Sequence, residues 1–315
     1  MLKFFKSYEP YFNLVYLVLA IGLCLPLISD GNAANLFTLI PWGVIPSYVL
    51  VIVCSLLIWV GALLSNSLFG SRDFHSISSG MPGLVFVLYS ATICLSSHKP
   101  WAILASVILL FALSFQTIIF RQNDVRKECF NAAVCLGLAS VLYFPAALLL
   151  IAQMAGLARS RTFIWREYVA SILGFILPWV WLLSIQWLFD VDLIQLFIIA
   201  QFESSSKLLT PAIVPWAFLL AWALVSLIKS FVRSTNISRN TKTISLSFSA
   251  ALAASLIIGQ LIGAQTPLEI LAIPMAMAMP FVVLDSASGV RAWFVAAIMA
   301  TGVAIAFFLT SPSPL

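Results

Sequence analysis

Residues 129–157 read CFNAAVCLGLASVLYFPAALLLIAQMAGL, and the number of helices in this stretch decides how everything around it is arranged. Tyr143, Phe144 and Pro145 stand in its middle. Proline has no N–H to give to a helix, and its ring drives the preceding residue out of helical geometry, so two short helices are expected, at 129–143 and 145–157. The flanking charges agree. Arg121, Arg126 and Lys127 precede the stretch and Arg159 and Arg161 follow it, and basic residues beside membrane spans are retained on the cytoplasmic side. A single crossing would export one of these runs, whereas a hairpin keeps both inside. Helices of about 13–15 residues reach only ~20–22 Å, short of the ~30 Å of bilayer hydrocarbon. Such a pair is tolerated at membrane depth where it is packed in protein or lines a polar cavity. The hairpin is thus either a pointer to a functional cavity or a structural kink.

Composition extends the membrane reading to the whole chain. Of 315 residues, 62% are apolar and 9% are charged, and the mean hydropathy is +1.09, whereas a soluble domain carries about 25% charged residues. No water-soluble fold hides that much apolar surface. Apolar runs of spanning or near-spanning length recur at 11–29, 46–66, 81–96, 100–120, 167–188, 211–229, 245–262, 269–285 and 292–310, which with the hairpin predicts an all-α, polytopic transmembrane bundle of about eleven membrane helices in one integral membrane domain, 1–315. The first run is expected to stay in the mature protein, because Pro26 and Asp30 are not followed by a small-x-small cleavage pattern.

Charge placement predicts the orientation. With the N-terminus in the cytoplasm, every one of the sixteen Lys and Arg residues falls on the cytoplasmic side except Lys99 and Lys207, and the C-terminus ends on the outer side. The segments from Lys229 to Lys242 and from Arg159 to Arg166 then read as cytoplasmic loops beside anionic headgroups. The net charge of +5 is accounted for by loop retention, so the bilayer is the partner implied and nucleic acid is not.

Motifs narrow the chemistry chiefly by exclusion. Cys24, Cys54, Cys94, Cys129 and Cys135 are scattered singly through apolar runs, and His75 and His98 are far apart, so the residues predict no metal site and the thiols read as small hydrophobes. No P-loop, GxGxxG, GxSxG or HExxH pattern occurs, and no motif names a cofactor. No internal repeat relates the two halves of the chain.

The acids remain. Asp30, Asp190, Asp192, Glu203 and Glu269 fall on the outer face or its edge, beside His98, Lys99, Gln201, Lys207 and Gln265. A carboxylate at that boundary can hold a cation, act as a base, or simply be solvated. Glu269 opens an apolar run through Pro274 and Pro280, where an acid at the edge of hydrocarbon is costly unless paired or functional. Its other reading is a first-turn charge stabilised by the helix dipole, with Thr266 as cap and Pro267 at the first position. Half-apolar outer segments at Asp30–Ile45 and 189–210, the second with an interfacial helix at 193–203, would form a lid. Candidate catalytic residues are therefore Asp30 and Glu269. Candidate substrate-binding residues are Lys99, Lys207, His98 and Glu203, the cations suiting an anionic headgroup.

The stretch FNAAVCLGLASVLYFPAALLLIAQMAGLARSRTFIWREYVASILGFILPWVWLL, Phe130 to Leu183, resembles the central block of an uncharacterised multi-pass inner-membrane family of Bacteroidota. The resemblance rests on Tyr143-Phe144, the Arg-rich loop, Trp165-Arg166-Glu167 and the Gly174-x-x-x-Pro178 helix, and continues in LEILAIPMAMAMPFVVLD, Leu268 to Asp285. It brings no established activity. A more distant likeness is to polytopic lipid-linked-sugar glycosyltransferases and polysaccharide polymerases, which place short helix pairs mid-chain and act at the outer face on polyprenyl-phosphate substrates. That likeness implies a base or metal contact for an acid in the first outer loop, the place held here by Asp30. The longer, acid-rich first loop and the outer soluble domain usual in those enzymes have no counterpart in this sequence. Two expectations follow: a membrane protein of envelope biogenesis that handles a polyprenyl-phosphate-linked glycan intermediate, or a non-catalytic subunit packed against other membrane subunits.

Overall fold

The computed structural model describes residues 11–28, 47–71, 79–97, 100–119, 125–160, 164–190, 213–232, 236–264, 267–284 and 289–310. Among the described residues the chain is all-helical, with eleven α-helices and no strand. In chain order they are α1 (Tyr11–Cys24), α2 (Ser47–Ser71), α3 (Met81–Ser97), α4 (Pro100–Ile119), α5 (Arg126–Leu142), α6 (Leu148–Ser160), α7 (Trp165–Phe189), α8 (Ile213–Val232), α9 (Asn236–Leu261), α10 (Ala272–Leu284) and α11 (Gly289–Thr310). Helices α2, α4, α7, α8 and α9 contain segments long and apolar enough to cross a bilayer unaided. The protein is a membrane protein, and its solvent is lipid.

The expected break at Pro145 is present. Tyr143 leaves α5 in extended geometry (φ −143°, ψ 97°), and Phe144–Ala147 form a single 3-10 turn before α6 begins. Chain reversal follows, because Leu157 near the end of α6 packs with Ile119, Val125 and Cys129 beside Tyr168, residues at the end of α4 and the starts of α5 and α7. The turn is anchored where the Tyr143 hydroxyl donates to the Ser255 carbonyl of α9 at 3.0 Å. A methyl placed on Gly259 would fall onto that hydroxyl, so the close approach of α9 requires glycine there.

Reversal at α6 leaves α5 and α7 parallel and in the closest helix pairing of the bundle. The Trp179 indole donates to the Ser140 hydroxyl at 2.9 Å, and Phe144 meets Trp179 edge-on at 6.3 Å. Gly137 of α5 faces the Phe175 carbonyl and Pro178, while Gly174 of α7 faces the Phe130 carbonyl and Ala133. In lipid there is little hydrophobic drive between helices, so small residues that let backbones touch supply the packing.

Polar and aromatic contacts bring alternate helix ends to one level. Tyr16 of α1 donates to the Gly80 carbonyl at 2.5 Å, and the Asn66 side chain near the end of α2 accepts the Gly83 N–H at 2.7 Å. Phe69 at the end of α2 meets Phe281 near the end of α10 at 5.7 Å. At the same level Lys242 in the first part of α9 reaches Ser230 at the end of α8. Arg126, Lys127, Arg166, Lys229, Lys242 and Arg291 all belong to this end, which is the basic end of the bundle. One expectation is corrected here. The segment from Lys229 to Lys242 is not mainly loop, because α8 runs to Val232 and α9 starts at Asn236, which places Lys242 inside a helix with only 5% of its surface exposed.

Helix α10 is the axis. Its residues from Ala272 to Val283 are all buried, including Pro274 and Pro280, and it packs chiefly on α3 and α8, with α2, α4, α9 and α11 around them. By contrast α7 buries one narrow stripe, Glu167, Ser171, Gly174 and Pro178, and turns Trp181 and Trp187 outward.

Candidate functional site

The chain enters α10 through Pro267, in extended geometry (φ −77°, ψ 92°), and the 3-10 turn Leu268–Leu271. Proline just before the turn costs no hydrogen bond, since the first N–H groups of a helix have no internal acceptor. Glu269 lies in that turn with none of its surface exposed. The Tyr89 hydroxyl of α3 donates to the neighbouring Leu268 carbonyl at 3.0 Å. Tyr89 is itself held edge-on against Trp216 of α8 at 5.2 Å, and a Cβ on Gly302 of α11 would crowd the Trp216 indole. Four elements therefore fix the place of one acid.

Sequence reasoning put Glu269 at the outer face or its edge, and the structure buries it completely among its neighbours. It is enclosed by protein, roughly 18 Å along the helix from Phe281 at the basic end. The first-turn position agrees with a dipole-stabilised charge, but zero exposure sets Glu269 apart from a solvated boundary carboxylate. A carboxyl group withdrawn from water is expensive in either leaflet, and the default for such a residue is a role in binding or proton transfer.

The other candidates, Asp30, His98, Lys99, Glu203 and Lys207, lie outside the described residues, as do the 193–203 helix and the proposed lid segments apart from Phe189 and Asp190. Around Glu269 the structure also assembles groups that the sequence had kept apart. Cys24, Cys54 and Cys94 are near one another, and Glu269 is within electrostatic reach of Cys94 and Tyr89. Helices distant in the chain converge here, and nothing in the spacing of single cysteines could have announced it. Among the described residues no cluster of three or more His, Cys, Asp or Glu side chains could hold a metal ion. Comparison with protein-family models, with curated proteins and with solved structures gives no match.

Polar groups missed in the sequence lie nearer the basic end. Gln116 of α4 and Gln153 of α6 are both buried, and the Gln116 Nε2 and Gln153 Oε1 atoms have no hydrogen-bond partner among the described residues. Both side chains line a small notch of about 30 Å³ closed by Ile244 and Ser247 of α9. One donor and one acceptor aimed into a space of that size suit a single bridging water.

Proposed function

We propose that this protein is a multi-pass inner-membrane protein of envelope biogenesis that handles a polyprenyl-phosphate-linked glycan intermediate in the half of the bundle opposite its basic end. Glu269 carries the reading, because an acid wholly enclosed at the head of the central helix is a costly feature that ligand or proton handling accounts for. In this reading the basic end faces the cytoplasm, by the retention of Lys and Arg on that side. The N-terminus is then cytoplasmic, the C-terminus periplasmic, and Glu269 belongs to the outer half. Glu269 takes or holds a proton of the glycan, while Asp30 assists as base or cation contact. Lys99, Lys207 and His98 supply positive charge for the phosphate, and Glu203 binds sugar hydroxyls.

The test is chemical. Lipids extracted from the purified full-length protein are analysed by mass spectrometry, for the natural chain and for Glu269→Gln. The expected result is a polyprenyl-phosphate-linked species that copurifies with the first and is depleted at least several-fold from the second. Absence of such a species from both overturns the reading.

A second reading, a non-catalytic subunit of an envelope complex, draws on α7, where Trp187 is 83% exposed and Trp181 65%. A photocrosslinker at Trp181 separates the two. Adducts to one defined membrane protein support the subunit reading, and adducts to lipid alone count against it.

A further inference from the structure

At the basic end a cleft of about 130 Å³ opens between α8, α10 and α11, lined by Trp222, Ser226, Lys229, Ser230, Phe281, Val282 and Arg291. The α8 contribution has a regular origin. Positions 222, 226, 229 and 230 stand on one face of a helix, at i, i+4, i+7 and i+8, so that face carries an aromatic ring, two hydroxyls and a cation in register. Arg291, in the first turn of α11, adds a second cation from across the cleft.

A third positive charge stands behind the wall. The Lys242 ammonium of α9, nearly buried, donates to the Ser230 oxygen at 2.9 Å and sits 5.1 Å from the centre of the Phe281 ring. Since Ser230 accepts from Lys242, its own proton is left to donate elsewhere, and the cleft is the side it lines. Among the described residues the lining contains no carboxylate. Retention of basic residues accounts for exposed Lys229 and Arg291 alone. It does not account for a nearly buried lysine that donates to a serine of the cleft wall.

We infer that this cleft is a phosphate-group site, filled by the headgroup of an anionic membrane lipid in the leaflet at the basic end. A phosphate diester offers only acceptors and a negative charge, and the cleft offers hydroxyl and ammonium donors with a planar guanidinium fork. The location selects the lipid as the source. Lys229 lies within the last turn of a membrane-spanning helix and exposed Trp293 follows Arg291 closely, so the cleft opens at the level where headgroups lie. The occupied site would tie α8, α10 and α11 together. This inference is independent of the Glu269 reading, since the two sites are at opposite ends of α10.

The test uses the full-length protein in neutral detergent, titrated with phosphatidylglycerol, phosphatidylcholine or inorganic phosphate and followed by native mass spectrometry. Phosphatidylglycerol is expected to be retained in preference to phosphatidylcholine. The pair Lys229→Gln with Arg291→Gln should weaken that retention by about tenfold or more. The pair Lys127→Gln with Arg166→Gln removes two equally exposed cations from the same end, away from the cleft, and should leave it unchanged. Equal loss in both pairs would reduce the effect to general charge attraction and overturn the site. Binding of inorganic phosphate as tight as that of the lipid would overturn the headgroup assignment. Lys242→Met tests the wall, and is expected to weaken retention while α9 stays folded, as read by circular dichroism.

Discussion

The Nε2 of Gln153, midway along α6, donates to the Cys129 backbone carbonyl of α5 at 3.1 Å. The same nitrogen reaches the Ser171 hydroxyl of α7 at 3.1 Å, so one amide ties the returning arm of the hairpin to both parallel helices beside it. The amide is thus a polar tie across the hairpin. Gln153→Leu is expected to cost about 1–3 kcal/mol, the penalty of stranding buried polar partners. Unfolding of the purified protein in mixed micelles, titrated with a denaturing detergent, measures it, and an unchanged midpoint would show that the amide does not hold the hairpin.

Two glycines at the α5–α7 contact set a steric prediction with an internal control. A Cβ on Gly174 would stand 2.5 Å from the Phe130 carbonyl oxygen, a backbone atom that cannot rotate away, whereas a Cβ on Gly156 of α6 meets nothing within 4 Å. Gly174→Ala is expected to destabilise by about 1–3 kcal/mol through forced separation of the two helices. Gly156→Ala should instead be neutral or stabilise by about 0.5–1 kcal/mol, the usual gain of alanine over glycine within a helix. Thermal melts of the two variants in one detergent should therefore move in different directions, or only the first should move.

Tyr143→Phe removes the hydroxyl that fixes the hairpin turn to α9 at Ser255. The ring stays packed, so the expected loss is the smaller one of about 0.5–1.5 kcal/mol for a single hydrogen bond. Backbone hydrogen exchange offers a sharper readout, with faster exchange expected at 143–148 and little change in α10.

Orientation is checked by labelling. Asn236 begins α9 at the basic end, and a cysteine introduced there on a cysteine-free background should react with an impermeant maleimide only after the cells are opened. Strong labelling in intact cells would invert the whole bundle and move Glu269 to the cytoplasmic half.

These expectations show which features the chain declares openly. Pro145 could be read directly, because a missing N–H acts locally and needs no partner to be felt. The parallel pairing of α5 with α7 could not. Gly174-x-x-x-Pro178 marks a surface that admits close approach, but a patch of small residues does not say which helix will fill it. Membrane chains also lose the contrast that separates core from surface, since the lipid-facing side of α7 and the enclosed α10 are equally apolar. The enclosure of Glu269 was hidden for that reason. Lys242 was hidden by the opposite rule, because a charge ordinarily marks the end of a span and Asn236 to Thr241 look like loop. Cys24, Cys54 and Cys94 show how little linear spacing says about residues that three helices bring together. The remaining candidates, Asp30, His98, Lys99, Glu203 and Lys207, fall outside the described residues, and their place rests on the sequence.

The wholly enclosed α10 has a consequence for how the chain is made. Among the described helices it is the last but one in chain order, yet it fills the centre against which α3 and α8 pack. Until it is made, α3 and α8 lack the surface they pack on, and Tyr89 lacks the Leu268 carbonyl it binds. Assembly is therefore gated by the C-terminal part of the chain. A chain halted before residue 267 is expected to leave α3 and α8 without the helix they share.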